Sequence, residues 1–206
     1  MNEPPLLEAF YDSITKDIFE LQSFGSETFE LGKSSTLGFV GIAVQDTRTL
    51  LVGLQNILAV HLKRPAVQLQ LGTPENIDTS NDFLSAMKGV HRYFFIVIQS
   101  ALEAAAQKVL EEKGIDGVNG ERAFRRVLSS LEKGVREEWA FFYEGLKVLR
   151  NESAHVSKHE LHEKAVEKLQ KAGLDFLVSD GKLTIRSERY VSISERATAC
   201  VRDLTK

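Results

Sequence analysis

The sequence predicts a mainly α fold, a helical bundle with one small β-hairpin near its C-terminus. Three observations carry that expectation. Apolar residues recur at helical spacing through most of the chain. Capping residues and glycines fall at the ends of those stripes. Late in the chain, Phe176-Leu177-Val178 and Leu183-Thr184-Ile185 flank Ser179-Asp180-Gly181-Lys182, a pattern that suits two short strands joined by an Asp-Gly turn.

Leu6, Leu7, Phe10, Ile14, Ile18 and Leu21 define a first helix ending near Phe24-Gly25. The polar stretch 26–35 reads as a loop, and Ser34 or Ser35 caps a second helix. The apolar face of that helix includes Phe39, Val40, Val44, Leu51, Leu54 and Leu58, and Pro65 closes it. Val67, Leu69 and Leu71 alternate as in a short strand before a Gly-Thr-Pro turn. Thr79, Ser80 or Asn81 caps a third helix that runs to Lys113 and stops at Gly114. Helices are expected at 121–133, 136–155 and 158–172, then the hairpin at about 174–186 and a final helix from Tyr190 to Leu204. Residues 81–206 form the principal helical domain. Residues 1–80 are an N-terminal helical region, part of the same bundle or accessory to it.

The chain has 206 residues and a formal net charge of −3, so length suits one domain and global charge announces no polyanion partner. One cysteine, Cys200, rules out an internal disulfide framework and fits a reducing, cytoplasmic setting. Met-Asn-Glu-Pro-Pro has none of the features of a secretory leader. The most apolar stretch, Leu37 to Leu62, is crossed by Gln45, Asp46, Thr47 and Arg48, which suits a buried helix with a polar seam better than a membrane span.

Chemistry concentrates in Arg150-Asn151-Glu152-Ser153-Ala154-His155, at the end of the helix expected over 136–155. With Arg150 at 0° on a helical wheel, Asn151 lies at about 100° and His155 at about 140°. Asn151 and His155 therefore stack at i, i+4, and the long Arg150 side chain reaches the same patch. Arginine grips phosphate with paired donors. Histidine exchanges protons near neutrality, as RNA transesterification requires. The Arg–His spacing alone recurs by chance about once in a chain of this composition. The adjacent Asn151, the small Ala154 and the apolar helix carrying Trp139, Phe142, Leu146 and Leu149 give it weight.

Leu149-Arg150-Asn151-Glu152-Ser153-Ala154-His155-Val156 resembles the Arg-x4–6-His signature of the HEPN superfamily, in which Asn commonly follows the Arg. Upstream, Ile98-Gln99-Ser100-Ala101-Leu102-Glu103-Ala104 resembles a helix that often places an acidic residue near that site. The tail after the motif, through Gly181-Lys182-Leu183-Thr184-Ile185, is also similar. The likeness spans about residues 82–204. It implies a HEPN-like bundle and a metal-independent endoribonuclease, often a toxin or phage-defence effector held by an antitoxin or regulatory protein. Arg150, Asn151 and His155 would be catalytic, with Glu103 orienting Arg150 or His155. Such sites usually form at a two-fold homodimer interface, and cleavage leaves a 2′,3′-cyclic phosphate. The superfamily also contains members that only bind RNA or serve as interaction modules. One subgroup carries a modified tyrosine two positions after the histidine; Ser157 stands there in this chain.

Arg122, Arg125, Arg126, Lys133 and Arg136 fall within an arc of about 100° if 121–136 is one helix, the best candidate for gripping an RNA backbone, although Glu132, Glu137 and Glu138 dilute it. His155, His159 and His162 have zinc-like spacing, but His159-Glu160-Leu161-His162 is one residue short of the metalloprotease pattern, and no metal or other cofactor is expected. The Gly32-Lys33-Ser34 sequence lacks the leading glycine of a phosphate loop, since Glu27 occupies that position. Phe94, Phe95, Phe141 and Phe142 are expected in the core, and Cys200 as a small buried group.

Overall fold

A computed structural model describes the backbone of residues 3–32, 36–62, 80–154, 162–174, 177–179, 182–184 and 189–206. Among these residues the protein is mainly helical. The helices are α1 (Glu3–Gly32), α2 (Gly38–His61), α3 (Ser80–Glu112), α4 (Gly120–Leu128), α5 (Lys133–Ala154), α6 (Glu163–Lys171) and α7 (Arg189–Leu204). Strands β1 (Leu177–Ser179) and β2 (Lys182–Thr184) pair antiparallel, with Val178 opposite Leu183. The expected turn residues Asp180 and Gly181 lie outside the described residues, as do the strand expected near 67–71, the caps Ser34 and Ser35, and Pro65.

α1 and α2 run antiparallel, since Arg48 donates to Gln22 at 3.2 Å while Gln55, further along α2, donates back to Thr15 at 2.6 Å. α1 runs on to Gly32, into the stretch 26–35 expected as a loop. Gly25 inside a helix costs about 1 kcal/mol relative to alanine, too little to end it when Glu27, Glu30 and Leu31 follow and no proline does. The polar seam of α2 is satisfied partly within the helix and partly by α3. Thr47, fully buried, returns its hydroxyl to the Ala43 carbonyl at 2.9 Å, and Asp46 accepts the Tyr93 hydroxyl of α3 at 3.3 Å. No helix among the described residues is long and apolar enough to cross a membrane.

α3 is the spine of the bundle, packing on α2, α4, α5 and α7. Its buried stripe, with Phe94, Ile98, Leu102, Ala105 and Val109, meets Phe124 of α4, Phe142 and Leu146 of α5, and Tyr190 and Ala197 of α7 in one core. α3 stops at Gly114, whose φ of +70° turns the chain so that Ile115 N–H reaches Leu110 O and Gly114 N–H reaches Glu111 O, both at 2.9 Å. Gly173 closes α6 in the same way.

The break between α4 and α5 differs from expectation. α4 ends at Leu128, not near 133, and α5 begins at Lys133 with Gly134 inside it. The hydroxyls of Ser129 and Ser130 bond back to Arg126 O and Val127 O, both at 2.7 Å, competing with helix continuation. A further glycine, Gly145, lets α5 approach the end of α6. A Cβ there would sit 2.6 Å from Ala172 Cβ and 2.7 Å from Leu174 Cδ1.

Candidate functional site

The C-terminal turn of α5 carries Arg150, half-buried, and Asn151, exposed, at the rim of the bundle. Arg150 is fixed from two sides. Its Nη1 donates to Gln99 Oε1 of α3 at 3.0 Å, and its Nε donates to Asn151 Oδ1 at 3.3 Å. Arginine and asparagine thus share one patch, as their adjacency suggested. His155 lies outside the described residues, as do His159 and Glu160.

Below Arg150 the contact between α3 and α5 is polar and mostly enclosed. Gln99 is 3% exposed and lies near the phenol of Tyr143, two turns before Arg150 on the same face of α5. The Tyr143 hydroxyl in turn donates to Glu103 Oε1 through a short bond. Burial first, and then the Glu103 carboxylate, hold the Tyr143 phenol well above its usual range, while the contact from Gln99 works the other way. The tyrosine ring stacks on Phe124 of α4, with centroids 4.5 Å apart and planes at 21°. Glu103 is thus joined to α5 at Tyr143, and its second oxygen lies against Gly120 at the start of α4. Neither Gln99 nor Tyr143 stood out in the sequence. The available signal was a pair of polar residues at i, i+4 on an apolar helix face, Gln99 and Glu103.

Beside this buried line runs an exposed lattice of charges joining α4, α5 and α6. Glu121 accepts from Lys147 at 3.0 Å and from Arg125 at 2.7 Å, and those two bonds, Lys147 first, pull its carboxyl below the ordinary range. Glu144 meets Arg125 at 2.7 Å and Lys168 at 3.1 Å. Burial works to raise Glu144, yet the Lys168 bond and the surrounding cations bring it down overall.

The lattice revises the basic stripe. Residues 121–136 are not one helix, so the common arc expected for Arg122, Arg125, Arg126, Lys133 and Arg136 does not exist. Arg125 is bound between Glu121 and Glu144, and Lys133 lies 4.0 Å from Glu137. Arg122 and Arg126 stay together, one turn apart and exposed on α4, while Arg136 is half-buried on the first turn of α5.

Phe94, Phe95 and Phe142 are in the core, but Phe141 is 40% exposed. It sits about 180° around α5 from Arg150, off the buried face, so it faces away from this site. Among the described residues no group of three or more His, Cys, Asp or Glu side chains is arranged to hold a metal. His162 caps α6 with its backbone, its carbonyl accepting Ala165 N–H at 2.7 Å. Cys200 is buried, and burial pushes its thiol well above the usual range. No family model matches the chain, and no curated protein or solved structure matches it.

Proposed function

We propose that the protein is a metal-independent, HEPN-like endoribonuclease whose bundle is finished by a C-terminal β-hairpin, acting as a homodimeric toxin or defence effector in the cytoplasm. The observation that carries this reading is the placement of Arg150 and Asn151 together at the rim of α5, with the guanidinium plane fixed by Gln99. A positively charged planar donor held in place suits the phosphate of an RNA strand, where charge builds during cleavage.

In this reading Arg150 binds the scissile phosphate and Asn151 donates an amide hydrogen bond to the same group. His155 moves the proton. Attack of the neighbouring 2′-hydroxyl on phosphorus needs a base for that hydroxyl and an acid for the departing 5′-oxygen. One imidazole does not serve both at once, and a second copy of the chain supplies the other. The bond to the 5′-oxygen breaks as the 2′-oxygen bond forms, leaving a 2′,3′-cyclic phosphate and a 5′-hydroxyl. Glu103 supports the clamp from below, and Arg122 with Arg126 offers backbone contacts on α4. An antitoxin or regulatory protein would hold the activity in check.

The test is incubation of the purified protein with bulk RNA in EDTA, with product ends identified. Cleavage to cyclic phosphates that disappears in both Arg150→Ala and His155→Ala is expected. RNA binding without cleavage by the unsubstituted protein would leave a non-catalytic RNA-binding module in its place.

A further inference from the structure

We infer that the exposed strip of α3 formed by Lys88, Arg92 and Ile96 is a second contact for a single RNA strand, carrying it away from Arg150. The inference rests on RNA as the ligand of the Arg150 site, and it is measurable whether or not the strand is cleaved.

The strip is continuous with that site. With Gln99 at 0° on α3, Lys88 falls at about −20°, Arg92 at about 20° and Ile96 at about 60°, so they share one face. α3 and α5 run antiparallel, because Gln99 meets Arg150 while Glu103, further along α3, meets Tyr143, earlier on α5. α5 ends at Ala154, one turn beyond Arg150. From Gln99 toward the start of α3, the strip therefore passes the end of α5 and opens to solvent. Ile96 is 37% exposed, and Arg92 and Lys88 are exposed as well. Arg92 lies about 10 Å along the axis from Gln99, and Lys88 about 6 Å further, at a rise of about 1.5 Å per residue.

Charge on the strip is of one sign. From Phe83 to Leu102 α3 contains no aspartate or glutamate, so no acid one turn away neutralises either cation. Neither side chain has an ion-pair or hydrogen-bond partner among the described residues. Arg125 and Lys147 differ, each being held by Glu121 and Glu144. Asp46 of α2 receives the Tyr93 hydroxyl about 100° round α3 from Arg92, and Glu152 stands about 160° round α5 from Arg150. Two unneutralised cations one turn apart suit neighbouring phosphates of a polyanion. Ile96, between them and Arg150, offers an apolar surface on which a base can be buried. A single strand presents phosphates and bare bases together, whereas a duplex turns its bases inward and has no use for Ile96.

The probe is an oligouridine of about ten 2′-O-methyl nucleotides, which at about 3.4 Å each span Arg150 to Lys88 even when stacked. Its blocked 2′-hydroxyls prevent cleavage, so binding to the full chain is titrated alone, at several salt concentrations. Lys88→Ala with Arg92→Ala is expected to lower the slope of log affinity against log salt by about 1.4, two phosphate contacts at about 0.7 each. Lys88→Arg with Arg92→Lys should keep the slope. The equal charge loss in Lys113→Ala with Arg202→Ala, past the end of α3 and on the last turn of α7, should leave it unchanged. Ile96→Thr should weaken binding by the same factor at every salt concentration, as loss of an apolar contact does. An unaltered slope in the Lys88, Arg92 double variant overturns the inference, as does an equal drop in the Lys113, Arg202 control. So does a loss of self-association in sedimentation with the slope intact, which makes the strip a face for a second copy of the chain. Oligonucleotide binding with the expected slopes but no cleavage of ordinary RNA removes the ribonuclease reading and leaves the strip standing. Cleavage of ordinary RNA with an unaltered slope does the reverse, and no binding at all removes both.

Discussion

Arg150 on α5 and Gln99 on α3 meet at 3.0 Å, a bond that ties the exposed end of one helix to a residue sealed inside the bundle. The two partners are unequal. Arg150 reaches solvent, whereas Gln99 relies on its neighbours to satisfy an amide that water barely touches.

That inequality predicts an asymmetry in stability. Arg150→Ala strands the Gln99 oxygen, at a cost of about 1–3 kcal/mol for an unsatisfied buried acceptor. Gln99→Leu removes the buried polar group itself, leaves the half-buried Arg150 within reach of water, and should cost less. Urea unfolding of both variants is the measurement. Equal or reversed losses would show that Gln99 draws its satisfaction from elsewhere.

The site was only half legible in the sequence. Arg150 and Asn151 could be placed because they are adjacent at the end of a strongly apolar helix, and a helical wheel needs no partner. The bonds of Gln99 to Arg150 and of Tyr143 to Glu103 could not, because they depend on how α3 and α5 are set against each other. Nothing local encodes that register across the 40 residues separating Glu103 from Tyr143. The same contrast runs through the fold. The stop of α3 at Gly114 follows from one residue's backbone preference. The break after Leu128 depends on two serine hydroxyls choosing backbone carbonyls over water, which composition does not decide. The aromatic doublet Phe141-Phe142 suggests burial of both, as happens for Phe94-Phe95 on the central helix α3, but Phe141 falls on the side of α5 that faces away from the core.

Gly145→Ala tests the closeness of α5 and the end of α6. On an open helix surface this change stabilises, by about 1 kcal/mol from helix propensity. Here the new methyl meets Ala172 Cβ at 2.6 Å and Leu174 Cδ1 at 2.7 Å, so a backbone or side chain must shift. Overpacking of this kind costs about 1–3 kcal/mol, and a net loss of thermal stability is expected. A rise in melting temperature would mean the two helices are set further apart.

Acid should weaken the bundle through His91. The ring is buried between α3 and α7, its Nδ1 2.6 Å from the Tyr190 hydroxyl, and burial lowers its pKa from 6.5 to about 4. Because the folded value is depressed, the unfolded chain binds the extra proton first. The neutral ring's full contribution is present above about pH 6.5 and is lost as pH falls toward 4. A shift of that size corresponds to about 3 kcal/mol. Unfolding free energy measured at pH 7, 5.5 and 4.5 should drop across this window, and His91→Phe should flatten that part of the profile. An unchanged slope in His91→Phe would assign the acid sensitivity to other groups.

The two kinds of arginine on α4 predict different phenotypes. Arg125 is held between Glu121 and Glu144, with its guanidinium committed to joining α4 and α5. Arg122 and Arg126 form the exposed pair one turn apart that the proposed RNA contact requires. Arg125→Ala should therefore affect stability, by up to about 1 kcal/mol for a largely exposed pair of contacts, and leave RNA affinity nearly unchanged. The double variant Arg122→Ala, Arg126→Ala should fold normally and bind RNA more weakly. Each phosphate contact removed should also reduce the steepness of log affinity against log salt by about 0.7 for a single strand. Titrations of single-stranded RNA at several salt concentrations, run beside thermal melts, separate the two roles. If the double variant keeps the salt slope of the unsubstituted protein, RNA does not lie along α4, and the track must be sought on another face.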